Sequence, residues 1–129
     1  MSDYVKYELE FIINTSTKVL YNLMSTPSGL SEWFADDVNI RDNVFTFIWD
    51  GSEEKARLLS KKKGEYVKFQ WLEHEEEDED TFFELRIQID DLTKEVALIV
   101  TDFAEEDEIE EAQLLWENQV SELTHVLGA

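Results

Sequence analysis

Apolar side chains recur at every second position in one short stretch after another, and this alternation limits what the chain can become. Val5, Tyr7, Leu9 and Phe11 fall on one face of residues 4–13, with Lys6, Glu8 and Glu10 on the other. The same pattern holds for Phe45, Phe47 and Trp49, for Val67, Phe69 and Trp71, and for Phe83, Leu85, Ile87 and Ile89. Successive side chains of a strand point to opposite faces, so each stretch reads as a strand with one face on a core and the other toward water. Asp50-Gly51-Ser52, Lys63-Gly64-Glu65 and Asp90-Asp91 lie between such stretches and carry turn chemistry. A weaker strand at 54–62 carries Ala56, Leu58 and Leu59, and another runs from Val96 to Thr101. Short strands joined by tight turns, each with one apolar face, predict an antiparallel meander packed on one side.

Helices must cover that side. Asn14, Thr15 and Ser16 supply cap residues, and Val19, Leu20, Leu23 and Met24 follow at helical spacing. Thr26-Pro27-Ser28-Gly29 interrupts this helix. Proline suits the first turn after a Thr cap, so a second short helix is expected over about residues 27–34, with Leu30, Trp33 and Phe34 on one side. A long helix is expected over about 105–127, where Ile109, Ala112, Trp116, Val120, Leu123 and Leu127 recur at three- and four-residue steps. Glu105 to Glu108 would favour its N-terminal dipole, and Gly128 sits where a C-terminal cap belongs. At 129 residues, with no repeat or linker, a single domain over 1–129 of the α+β class is expected.

Charge narrows the partners. Eleven basic residues against 31 acidic ones give a formal charge of −20. Such a chain repels phosphate backbones and anionic lipid, so neither nucleic acid nor a membrane surface is expected as a partner. A basic protein partner, or cations, would be attracted; solubility alone would explain the charge equally. At 43% hydrophobic and 12% aromatic, the chain is too rich in core-forming residues to be a disordered acidic tail. The absence of cysteine excludes a disulfide frame, a thiol nucleophile and a thiolate metal site. Met1-Ser2-Asp3-Tyr4 has none of the regions of a signal peptide, and no apolar run approaches the roughly 20 residues of a membrane span. A cytoplasmic protein is the expectation.

The order of elements, together with Ser28-Gly29-Leu30-Ser31-Glu32-Trp33-Phe34-Ala35, Phe45-Thr46-Phe47-Ile48-Trp49-Asp50-Gly51 and Val100-Thr101-Asp102-Phe103-Ala104, resembles the START-like (SRPBCC, Bet v 1-like helix-grip) superfamily. Within it, the branch similar to the Hsp90 ATPase activator (Aha1) domain looks nearest. The resemblance covers essentially the whole chain. It implies a curved sheet of about six or seven strands gripping the C-terminal helix, with a cavity between them that takes a small apolar ligand. A protein-interaction module of the activator type, working through an acidic surface, is the alternative. One departure from that branch is that no basic surface is expected.

The residues placed to line such a cavity are Trp33, Phe34, Phe47, Trp49, Phe69, Trp71, Phe83, Leu85, Trp116 and Val120. Pockets are mostly apolar with a few placed polar groups, but the same residues would equally make a filled core. The pocket wall proper is expected at Phe47, Trp71, Phe83 and Trp116, with Tyr7, Tyr21, Thr46, Gln113 and Asn118 as polar candidates. The acidic run Glu73 to Asp80 lacks calcium-loop spacing and reads as a solvated connection, with His74 a loop residue. No nucleophile elbow, zinc-binding His-Glu-x-x-His or glycine-rich phosphate loop is present, so no catalytic residue, metal or cofactor is expected.

Overall fold

The computed structural model describes residues 4–128; the other positions, which include Met1, Ser2 and Asp3 of the opening segment, lie outside the described residues. Seven strands form one antiparallel sheet: β1 (Tyr4–Ile12), β2 (Asp37–Arg41), β3 (Val44–Trp49), β4 (Ser52–Lys62), β5 (Tyr66–Trp71), β6 (Phe83–Ile89) and β7 (Val96–Glu105). Their order is β1-β7-β6-β5-β4-β3-β2, so β2 to β7 are a meander and β1 closes against β7. Helices α1 (Thr17–Ser25) and α2 (Pro27–Leu30) connect the two edge strands, α3 (Leu72–Glu76) follows β5, and α4 (Ile109–Val126) ends the chain.

The alternation read from the sequence is the pleat of this sheet. Tyr7 pairs with Asp102, Leu9 with Val100 and Phe11 with Leu98, all on the helix-covered face. Two-residue turns join β2 to β3 and β3 to β4. Asp42 and Asn43 have φ of 50° and 65°, and Asp50 and Gly51 have 49° and 82°, the left-handed pairs that match the twist of a tight hairpin. Strand β2 was not expected. Only Val38 is buried on it, so period two leaves no trace in its composition.

Helix α1 starts at Ser16, whose Oγ accepts from the Val19 amide at 3.1 Å, and buries Leu20, Leu23 and Met24. Thr26 ends it and caps the next: its hydroxyl donates to the Asn22 carbonyl at 2.9 Å and accepts from the Gly29 amide at 2.9 Å. Gly29 is there because nothing larger fits. A Cβ would meet the Asn22 carbonyl oxygen and lie 2.7 Å from the Leu23 Cα. Helix α2 is shorter than expected, since residues 31–34 turn on the Leu30 carbonyl to reach β2, yet Trp33 and Phe34 are still buried.

The C-terminal boundary also differs. Strand β7 continues through Glu105, a single 3₁₀ turn spans Glu106–Glu108, and α4 begins only at Ile109. The acids in the first turn of α4 are therefore Glu110 and Glu111. Gly128, at φ 73°, follows the last turn as expected of a cap. The acidic connection is mostly exposed, as expected of a solvated segment, but it opens with α3 rather than a loop. His74 there bonds Thr81 Oγ1 through Nδ1 at 2.6 Å and Tyr4 through Nε2 at 3.3 Å, and Arg57 pairs with Glu75 at 2.9 Å.

Candidate functional site

Between the sheet and α4 the interior is filled by rings. Phe47, Phe69 and Phe83 are fully buried, with Phe69 and Phe83 stacked at 5.0 Å between centroids. Phe34 reaches in from the turn after α2 and lies 5.0 Å from Phe47, 5.9 Å from Phe83, 5.5 Å from Trp49 and 5.5 Å from Trp116. Leu85 and Val120 belong to the same packed cluster. Of the expected pocket wall, Phe47 and Phe83 are thus core. The ring of Phe34 occupies the volume they would have faced.

The open space lies at the edge of this cluster. A cleft of about 420 Å³ is lined by Phe34, Trp49, Glu54, Trp71, Asp102, Leu115, Trp116 and Gln119. Strands β3, β4, β5 and β7 supply one wall and α4 the other. The structure therefore gathers Phe34, Trp49, Trp71 and Trp116 from the sequence-derived set. Phe47, Phe69, Phe83, Leu85 and Val120 pack behind them. Trp33 lines an adjoining cleft of about 530 Å³ with Phe34 and Trp49, and a third of about 550 Å³ runs along the other side of α4 beside Phe103 and Ala104. Leu115 borders all three, although it is 60% exposed. Among the polar candidates, Asn118 lines the two outer clefts, whereas Thr46 pairs with Lys55 on the outer face of the sheet.

Indole groups fix the geometry. The Nε1 of Trp33 donates to the Leu23 carbonyl at 2.7 Å, that of Trp49 to the Phe34 carbonyl at 2.8 Å, and that of Trp116 to Asp102 Oδ2 at 2.8 Å. Gln119 Nε2 also donates to the Phe34 carbonyl, at 3.0 Å, so Phe34 is held from both β3 and α4. Trp71 is the exception: its Nε1 has no hydrogen-bond partner among the described residues, and its ring lines the cleft.

Asp102 is the polar residue that the sequence reading missed. Counting by twos from Leu98 and Val100 places it on the inner face, where a carboxylate is out of character. Its Oδ1 accepts from the Phe103 amide at 2.7 Å, and its Oδ2 accepts from Trp116 and, at 3.4 Å, from the Tyr7 hydroxyl. Burial raises its pKa above the ordinary carboxylate range, opposed by these three donors. Burial, and then the Asp102 charge, raise the Tyr7 hydroxyl, so Tyr7 stays a neutral donor.

The basic residues are unevenly placed. Strand pairing puts Lys6, Arg41, Lys55, Arg57, Lys62, Lys68 and Arg86, seven of the eleven basic residues, on the face turned away from the helices. There Lys68 lies 4.1 Å and Lys6 5.7 Å from the Phe82 ring centroid, and Arg86 lies over Tyr66. The same face also carries Glu8, Glu10, Asp37, Glu53 and Glu84, and Arg57, Lys62 and Arg86 pair with Glu75, Glu65 and Glu84, so it is mixed in sign. The clefts around α4 differ: their charged lining residues are Glu54 and Asp102, Glu32, Asp36 and Glu122, and Glu105, Glu108 and Glu111, all acidic. No helix among the described residues is long and apolar enough to cross a membrane.

The fold recurs in solved structures. BfR322 from Bacteroides fragilis is 34% identical over 96% of this chain and 91% of its own, with a TM-score of 0.66. The Aha1 dimer from Colwellia psychrerythraea matches at a TM-score of 0.77 and 15% identity, over 93% of each chain. Protein MLL2253 from Mesorhizobium loti also reaches 0.77, at 14% identity over 96% and 97%. No curated protein matches the chain. A family model described as a START-like superfamily domain matches residues 1–129. With a seven-stranded antiparallel sheet closed over by a C-terminal helix and this match along its length, the chain belongs to the START-like superfamily.

Proposed function

We propose that the protein is a non-catalytic binding domain that holds a small, largely apolar ligand in the cleft between the sheet and α4. The observation that carries this reading is the cleft of about 420 Å³ walled by Phe34, Trp49, Trp71 and Trp116. Ligand sites are concave and mostly apolar, with a few polar groups that fix orientation. Here the polar lining residues are Asp102, Glu54 and Gln119. The volume suits a molecule of small-metabolite size rather than a lipid, because the deeper space is taken by Phe34, Phe47 and Phe83. Native mass spectrometry of protein purified from its own source tests the reading. A small-molecule adduct that is lost in a folded Trp71→Leu variant supports it; an adduct retained in that variant places the ligand elsewhere and contradicts it.

A second reading is supported by charge. The acidic helical side and the likeness to an Aha1 dimer favour a protein-interaction module of the Hsp90-activator type, with a basic partner on the α4 side. Such binding weakens with salt. A specific partner recovered from lysate at low salt and lost at high salt would favour it, and recovery of no specific partner at either would count against it.

A further inference from the structure

The chemistry of the cleft narrows the ligand class, on the basis of the binding reading above. We infer that the cleft takes a small organic ammonium ion, its alkylated nitrogen set among the Trp49, Trp71 and Trp116 rings with Asp102 and Glu54 as counter-charges.

Three observations converge on this. The first is the aromatic lining. Trp49 and Trp71 are 6.3 Å apart between centroids, Phe34 lies 5.5 Å from both Trp49 and Trp116, and all four rings border one volume. Aromatic faces carry negative quadrupole density and attract a cation that sits within about 6 Å of the centroid, tryptophan best of all. Four aromatic rings line this cleft, three of them indoles.

The second is the sign of the charge. Glu54 and Asp102 are the charged groups on the lining, and the two clefts that join it around Leu115 add only more acids. An anionic ligand would meet no counter-charge there. A neutral apolar ligand would leave Asp102 without a charged partner, since its donors, Tyr7, the Phe103 amide and Trp116, are all neutral. An ammonium ion supplies that partner. A formal charge of −20 further raises the local concentration of cations around the chain.

The third is preorganisation. Trp116 Nε1 and the Phe103 amide hold one Asp102 oxygen each, at 2.8 and 2.7 Å, so the carboxylate is oriented before any ligand arrives. A bare metal ion is a poor alternative. Hard cations need six or more oxygen ligands, and this cleft offers two carboxylates among aromatic walls.

The test uses choline and its neutral isostere dimethylbutanol, in which carbon replaces the quaternary nitrogen. Each is titrated into the full-length chain while the four indole N–H resonances are followed by NMR. The expected result is saturable choline binding that shifts the Trp49, Trp71 and Trp116 signals, is at least tenfold weaker for dimethylbutanol, and drops at least tenfold in Asp102→Asn. Folding of that variant is checked by its spectrum. Equal affinity for the two probes overturns the ammonium assignment while leaving the cleft a binding site. No shift from choline also overturns it, and a parallel titration with uncharged aromatic fragments then shows whether the binding reading has failed as well.

Discussion

Trp116 Nε1 donates to Asp102 Oδ2 at 2.8 Å, tying the middle of α4 to the last inward-facing carboxylate of β7. The link does two things. It fixes how closely the helix approaches the sheet, and it makes a buried carboxylate tolerable beside four aromatic rings. Trp116→Phe keeps most of the packing and removes the donor. Hydrogen bonds to charged groups contribute about 1.5–3 kcal/mol. The variant is expected to lose stability in that range at neutral pH, and less at pH 4, where Asp102 takes up a proton more readily. Urea unfolding at both pH values measures the difference.

The Asp102 carboxylate leaves its own pH signature. Burial raises its folded pKa above the model value of 3.8, so the folded state binds a proton more tightly than the unfolded chain. The stability this contributes is fully present below the unfolded value and is lost as pH rises through the raised folded one. The groups around it are Tyr7 from β1, which stays neutral, Trp116 from α4, Glu54 from β4 across the cleft, and His74 from α3, whose charge acts at longer range. The stability of Asp102→Asn relative to the parent is therefore expected to rise from pH 4 to pH 7, on top of a pH-independent cost of setting the amide NH2 against the Phe103 or Trp116 donor. Parallel denaturant titrations across this window test the sign; a relative stability that grows toward acid would refute it.

Gly29 sets the approach of α1 to α2. A methyl group there runs into the Asn22 carbonyl oxygen and the Leu23 backbone, neither of which can swing aside. Gly29→Ala is expected to destabilise by about 1–3 kcal/mol, as overpacking does. Because the turn after α2 carries Phe34, the indole signals of Trp49 and Trp116 should move as well. Thermal melting and a proton spectrum check both.

Phe83 tests whether the interior is filled. It is fully buried and contacts Phe34, Phe69, Trp71 and Trp116, with centroids 4.9–6.2 Å away. Phe83→Ala is expected to cost about 3–5 kcal/mol, the range for a buried ring replaced without collapse. A loss below about 1 kcal/mol would mean that the rings beside it already border open space.

Much of this architecture is legible in period two. Strands β3, β5 and β6 declare themselves because each puts aromatic or branched residues on one face and polar ones on the other. Strand β2 does not, since Val38 alone is buried. Glu105 to Glu108 suit a helix start and a strand end equally well, so local chemistry cannot locate the boundary; the pairing of Tyr4 with Glu105 does. At the site, Trp49, Trp71 and Trp116 were identifiable as inward aromatics. What the sequence cannot express is how deeply Phe34 reaches, and that decides whether Phe47 and Phe83 face a cavity or a ring. Asp102 was findable: a carboxylate in register with Leu98 and Val100 is the signal, and it was overlooked among 31 acids.

The cleft itself is tested most directly by the four indole N–H resonances of the labelled protein in the presence of a fragment library. The account expects a subset of fragments to shift Trp71 most, because its Nε1 has no hydrogen-bond partner among the described residues, and Trp49 and Trp116 beside it. Trp33, bonded to the Leu23 carbonyl inside the fold, should move least. Fragments that bind without touching the Trp71 signal, or a library that moves none of the four, would contradict a ligand site between the sheet and α4.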